Sequence, residues 1–344
     1  MPAAGASVAL STANPTLLDI AKRTDASGKI IPVIEALSQK NSVISSMVWK
    51  EGNLDTGHRV AARNALPAVS WGKYNAGVTP SKSTVDTYDE ACGFLEGLSS
   101  IDCRLADLNG NAAAFRASED DAFIAQMTNT VESAIFYEST AISPERVLGL
   151  SPRLSNSAGK YGAQVLKSSG AGADNASIWL VGWGDKSVYG ITPRGKGAGL
   201  TMEDMGKQRT LDANSAVLWK YETLLRWHLG VCVEDYRNLV RIANIPQSTL
   251  TANAATGPAL LDLMIQAWYG LYDATGTRPV WYCNRRIAGW LHRQALNASS
   301  NSTLSVDAAP TIGSPGVFGK PLVRCMGAPI MITDALTITE ALVS

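Results

Sequence analysis

The 344-residue sequence predicts an α+β protein. Three observations carry that expectation. Period-2 stretches and period-3.6 stretches are interspersed without a regular βαβ series. One segment, 47–80, reads as extended chain with few local partners. One helical segment, 112–139, is far longer than the average helix of ~11–12 residues. Nothing repeats at the periods of solenoids or propellers.

The elements follow in order. Residues 1–14 are small and polar and read as a mobile arm. PTLLDIAKRTD (15–25) is a short amphipathic piece, and Ile30, Ile34, Leu37 and Ile44 fit one helix over about 30–46. From Trp49 the pattern turns extended: His58, Val60 and Ala62 alternate with Arg59, Ala61 and Arg63. Leu66-Pro67-Ala68 is the expected hairpin tip, with a return through Val69, Trp71 and Tyr74. Pro80 interrupts the return, and alternation resumes at Val85 to give a strand reaching about residue 100. An isolated two-stranded arm is only marginally stable in water, so its expected partner is another copy of the chain.

The helix over 112–139 carries Ile124, Met127, Val131, Ala134 and Ile135 in one apolar stripe. At 1.5 Å per residue it would span ~40 Å. Residues 155–175, rich in Ser, Gly and Ala, read as a surface loop. SIWLVGWGDKSVYGIT (177–192) reads as a hairpin turning at Gly184-Asp185, followed by a Gly-rich loop over 193–200. Residues 217–244 are apolar and β-branched enough for strands. Thr256-Gly257-Pro258 opens a helix through Leu260, Leu261, Met264, Ile265 and Trp268 that is expected to end near Gly276. PVWYCN (279–284) predicts a strand, RRIAGWLHRQALN (285–297) a helix and 298–316 a loop. Two short strands are expected around Gly327.

Composition narrows the function. Thirty Lys and Arg balance thirty Asp and Glu, and charged residues are only 17%, against the usual ~25%. A freely soluble monomer carries more surface charge, so much of this surface is expected to be covered by partners. A neutral chain whose cations form no stripe lacks the footprint of a dedicated nucleic-acid binder. Five scattered cysteines (Cys92, Cys103, Cys232, Cys283, Cys325) without a CxxC argue against a disulfide framework or zinc site and for a reducing compartment. No secretory signal and no membrane-length apolar run are legible. Without a secretory signal, the glycosylation triplets at Asn175, Asn297 and Asn301 are expected to be chance.

No catalytic, cofactor-binding or metal-binding residue is predicted. PRGKGAGL (193–200) fails both GxxxxGK[ST] and GxGxxG. Only three histidines exist, His58, His228 and His292, with no HExxH and no GxSxG elbow. Glu119-Asp120-Asp121 suits the start of a helix and is expected to be solvated or salt-bridged. Asp107-Leu108-Asn109-Gly110-Asn111 lacks the twelfth-position acid of a calcium loop.

Six segments, PTLLDIAKRTD, MVWKEGNLDTGHR, LPAVSWGKYNAGVTPSKS, LADLNGNAAAFRASEDDAFI, SIWLVGWGDKSVYGI and LVRIAN, occur in this order. Together they resemble the major capsid proteins of short-tailed double-stranded-DNA bacteriophages of the Bordetella-phage and epsilon-fifteen kind. The tail GKPLVRCMGAPIMITDAL is similar to the closing strand pair of coat proteins of the Hong Kong 97 type. The resemblance runs from about residue 15 to the end. It implies the Hong Kong 97-type capsid fold: an N-terminal arm over 1–30, a helix over 31–46 and an extension loop (a β-hairpin) over 47–80. A peripheral domain over 81–144 would carry the spine helix 112–139. An axial domain would occupy 145–310, and strands over 311–344 would return to the periphery. The self-crosslinking of the fold's namesake has no matching motif here and is not inferred.

The implied function is a coat subunit that self-assembles, as hexamers and pentamers, into an icosahedral head around double-stranded DNA. The implied route is a precursor shell that expands as DNA enters. Expected partners are other copies of the chain, a scaffolding protein, a portal, optionally a decorating protein, and packaged DNA held non-specifically. No membrane is involved. The expected location is the virion head, assembled in the bacterial cytoplasm. The expected contacts between subunits are Trp49, Arg59, Arg63, Trp71 and Lys73 in the extension loop, then Leu17, Leu18, Lys22 and Arg23 in the arm. The alternatives are a non-viral compartment shell of the encapsulin kind, an α+β enzyme, and a tail or baseplate component.

Overall fold

The computed structural model describes residue 15 and residues 41–109, 111–211, 215–251, 257–299 and 324–344. Apart from residue 15, the expected arm over 1–30 lies outside the described residues, as do the helix over 31–46 up to residue 40, the loop over 300–316, and the residues Leu17, Leu18, Lys22 and Arg23.

In chain order, α1 (Val43–Ser46) leads to β1 (Trp49–Glu51), β2 (Gly57–Ala65), β3 (Thr84–Ala91) and β4 (Gly93–Asp102). α2 (Cys103–Ala106), α3 (Ala112–Tyr137) and α4 (Leu150–Arg153) follow, then β5 (Val165–Lys167), β6 (Asn175–Trp183), β7 (Val188–Thr192), β8 (Leu200–Leu211), β9 (Val217–Val233) and β10 (Leu239–Pro246). The chain continues with α5 (Leu260–Gly270), β11 (Arg278–Cys283), α6 (Arg285–Ser299), β12 (Arg324–Cys325) and β13 (Ala328–Ile332). The mixed α+β class is as expected.

These elements form two compact units, each discontinuous in sequence. The first holds Phe94–Thr130 and Gly199–Trp227. Its strands β8 and β9 pair antiparallel from Leu200↔Trp227 to Leu211↔Val217, and β4 lies along the other side of β9. Ile101, Ala106 and Phe115 form its buried centre, with Leu105, Ala112 and Tyr221 packed around them. Arg116 of α3 donates to Asp204 at 2.5 Å and to Thr223 at 3.3 Å. Gly97 sits where a Cβ would meet the Phe123 ring at 3.3 Å.

The second unit holds Gln39–Gly93, Val131–Ala198 and His228–Ser344. Its sheet runs β12-β13-β11-β6, with β10 and then β5 beyond β6. β6, β7 and β10 are buried along their whole length. Strands covered on both faces lose the polar alternation of a one-sided sheet, which is why SIWLVGW and LVRIANI read as apolar runs. Trp281 and Ile178 of the sheet pack with Met264 of α5 and Ile287 and Trp290 of α6. Asn284 caps α6 by accepting from the Ile287 N–H at 2.8 Å. The C-terminal tail is tied down by Asn244. This residue sits at a bulge in β10 with φ 57, and its side-chain amide both donates to the Val343 carbonyl and accepts from the Val343 N–H, each at 2.9 Å.

Several expectations need correction. The return strand of the arm is β3, not the run through Val69, Trp71 and Tyr74: β2 pairs with β3 from Gly57↔Ala91 to Ala65↔Thr84. Pro67 and Pro80 lack the N–H a ladder needs, so residues 66–83 stay outside the sheet. β6 and β7 are not a hairpin. They meet only at Trp183↔Val188, and β7 pairs instead with β9, because the Gly184–Ser187 turn redirects the chain. α5 stops at Gly270 rather than near Gly276. Residues 155–175 include the short strand β5. α3 ends at Tyr137, two residues short of the expected 139. In the acidic triplet, Asp120 turns inward and is buried while Asp121 is exposed.

Candidate assembly interface

The β2–β3 hairpin and the segment it carries form the candidate site. Its root is built tightly. A Cβ on Gly57 would meet the Glu90 carbonyl at 2.1 Å, so only glycine fits there. Val60 is buried with Tyr189, Ile191 and Cys232, and Tyr88 packs on the same cluster. The Tyr88 hydroxyl donates to the Val233 carbonyl at 3.0 Å. Beneath it Arg153 and Glu90 form a bidentate ion pair, with side chains 2% and 4% exposed. Arg153 also donates to the carbonyls of Leu148 and Val231, each at 3.0 Å. Glu90 lies on β3, so this cluster fastens the hairpin to its own unit.

The outward face of the same root is wet. Arg59 and Asp89, opposite each other in the ladder, form a two-pronged exposed pair at 2.6 and 2.7 Å. The guanidinium holds the Asp89 carboxyl below its ordinary range. His58 accepts at Nδ1 from the Asn53 N–H at 3.3 Å and meets Tyr189 edge-on. Burial, then the nearby Lys50 ammonium, lower the His58 pKa and favour that neutral acceptor. Beyond Ala65, Leu66, Val69, Trp71, Tyr74 and Val78 stand in solvent, with Trp71 99% exposed. Large apolar side chains left in water on one segment make it a candidate interaction site.

The expected contact residues divide accordingly. Trp71 and Lys73 lie on the exposed segment, and Arg63 is exposed at the end of β2. Arg59 is exposed but engaged by Asp89. Trp49 is half-buried, and its indole lies against Gly190, where a Cβ would meet it at 2.8 Å. No local pattern marks the cleft of about 680 Å³ beside Arg63 and Tyr88, where the Tyr161 and Tyr236 rings stack at 3.7 Å. The Arg153–Glu90 pair is equally invisible in the sequence, since two residues 63 apart carry no local signal.

The remaining chemistry-bearing residues do not converge. His58, His228 and His292 fall on β2, β9 and α6. In the Gly-rich loop, the Gly195 N–H donates to Glu51 Oε1 at 2.7 Å, so its amide serves the fold. Burial pushes the Cys92 and Cys283 thiols up to about 12, the reverse of what a nucleophilic cysteine needs. Among the described residues no group of three His, Cys, Asp or Glu is placed to hold a metal ion. No described helix is long and apolar enough to cross a membrane.

The strapped-down hairpin with its exposed apolar side chains is the candidate assembly surface of this chain. Comparison with known proteins defines the class: a coat protein of the Hong Kong 97-type fold. The chain belongs to the family described as major capsid protein GP7, which it matches over residues 25–344. It is similar to a chain of the cryo-EM structure of bacteriophage Epsilon15, at 29% identity and a TM-score of 0.78, covering 97% of this chain and 98% of that one. Weaker likenesses are to the bacteriophage JBD30 capsid (7% identity, TM-score 0.45, covering 75% and 84%) and to the SrpI encapsulin of Synechococcus elongatus (12%, 0.44, 66% and 95%). No curated protein sequence matches the chain. The protein is therefore a phage head shell protein that assembles with copies of itself.

Proposed function

We propose that the chain is the subunit of an icosahedral head enclosing double-stranded DNA, and that the segment over 66–83 is the part of each subunit that lies across a neighbour. The exposed apolar run from Leu66 to Val78, on a root that is itself immobilised, supports this reading most directly. Trp71 and Lys73 are the leading contacts, with Arg63 and Arg59 at the rim. Trp49 supports the root. Leu17, Leu18, Lys22 and Arg23 remain proposed arm contacts.

In this proposal residues 1–30 act as the arm, 57–91 as the extension hairpin, the remainder of 81–144 as the peripheral domain, 145–310 as the axial domain and 311–344 as the returning strands. The head grows from hexamers and pentamers as a precursor shell around a scaffolding protein, in the bacterial cytoplasm, and expands as DNA enters through a portal. A decorating protein is an optional outer partner. The subunit's equal numbers of cations and anions suit loose, non-specific contact with the packaged DNA.

The register suggests a clean test. Ala65 and Thr84 face each other across the ladder, so Asn-Gly replacing 66–83 closes the hairpin with a two-residue turn. The shortened chain is expected to stay folded and soluble and to build no shells. Closed particles from this variant, seen by negative-stain microscopy, would remove the segment from the assembly mechanism.

A further inference from the structure

β8 is an outer strand of the first unit. It pairs with β9 on one side, and among the described residues no strand covers its other edge. Twelve extended residues span about 40 Å, and such an edge offers a row of free backbone donors and acceptors to another strand. Large apolar side chains stand in water around it: Met202, Met205 and Leu211 on β8, Val217 and Trp219 on β9, each 40–58% exposed.

The charges on β8 are ordered about its centre. Glu203 and Asp204 precede Gly206, and Lys207 and Arg209 follow it. A strand with one sign of charge repels its own copy, whereas a strand acidic in one half and basic in the other attracts it when the copy runs in reverse. The bulge at Asp204–Gly206 makes the reversal work face by face. Leu200, Met202 and Asp204 oppose Trp227, Leu225 and Thr223, while Lys207, Arg209 and Leu211 oppose Tyr221, Trp219 and Val217. All six β8 residues therefore share one face, although the first three are even-numbered and the last three odd.

Laid antiparallel on its own copy, β8 brings Asp204 against Lys207, Met202 against Arg209 and Leu200 against Leu211 on that face. Glu203 then faces Gln208, and Thr201 faces Thr210, on the other. In an unbulged strand each of these pairs would fall on opposite faces. The charged groups are already held in place. Asp204 accepts from Arg116 and from the Gly206 N–H, yet its side chain stays 59% exposed. The Lys207 ammonium lies 5.2 Å over the Tyr221 ring.

We propose that β8 is a second contact surface between copies of this chain: the strand pairs antiparallel with β8 of another subunit about a two-fold axis, joining two sheets into one. A two-fold contact of this kind is isologous, each copy offering the same patch. The proposal rests on the shell reading, which supplies the second copy.

The test uses full-length protein carrying Thr201→Cys and Thr210→Cys together. Within one chain these positions are about 30 Å apart, beyond the reach of a disulfide. Oxidised particles of the double variant are expected to give a covalent dimer on a non-reducing gel, and either single variant none. In the unaltered protein, amides of 200–211 are expected to exchange with deuterium at least tenfold more slowly in particles than in free subunits. Particles that form normally with neither dimer nor protection overturn the β8 pairing and leave the shell reading intact. Protection without a dimer overturns it too, by giving the edge to a different segment. Should the double variant not assemble, exchange in the unaltered particles decides in the same sense. If the unaltered chain makes no particles at all, the shell reading fails first.

Discussion

At the scale of single residues, the buried ion pair at the hairpin root is the most sensitive point of the site. Removing one member of such a pair leaves its partner charged in a dry place, at a cost of about 3–5 kcal/mol. Arg153→Met strands Glu90, whose side chain is 4% exposed, and the loss is expected in the urea unfolding midpoint. His58 sets a smaller, pH-dependent effect. Its folded pKa lies below the ordinary histidine value of 6.5, so below that pH the unfolded chain binds the proton more readily. The stability tied to neutral His58 is present above pH 6.5 and lost as pH falls through the folded value. The urea midpoint of His58→Gln is therefore expected to fall less steeply below pH 6.5 than that of the unaltered protein.

At the scale of elements, fold and assembly separate. Trp71 touches nothing that supports its own subunit, so Trp71→Ala is expected to leave the unfolding free energy within about 0.5 kcal/mol while sharply reducing the yield of particles. Unchanged yield in a sedimentation assay would show that the indole does not reach a neighbour. The same separation explains what was legible beforehand. β2, α3, α6 and the β12–β13 pair showed in the sequence because each has a local signature: two-residue alternation, a long apolar stripe, or strand pieces either side of Gly327. The pairing of β2 with β3 did not show, because Val69, Trp71 and Tyr74 mimic a strand while Pro67 and Pro80 deny it a ladder. The divergence of β6 and β7 depends on β9 and β10, distant strands that compete for their edges. The exposed segment was legible as unpartnered chain. Its anchor was not, since Arg153 and Glu90 meet only in three dimensions.

At the scale of the whole molecule, a shell holds through many modest contacts. Tethering by neighbours raises effective concentration, so each contact works as if intramolecular. Heterologous contacts close into a finite particle only when their rotations close. Concentrated full-length protein is therefore expected to give closed spheres in negative stain; rings or tubes would point to a tail component, and a lone globule would show that copies of the chain do not close a shell without a scaffolding partner. The low charged fraction of 17% fits a surface largely shared with copies of itself.

The Arg153–Glu90 clamp has one mechanical consequence. A ribbon fastened this way at its base has no soft joint there, so torque applied at its far end passes straight into the body of the subunit. A particle made of such levers would answer outward pressure by loading every molecule at once, and stiffness measured by indentation should drop in particles whose clamp has been loosened.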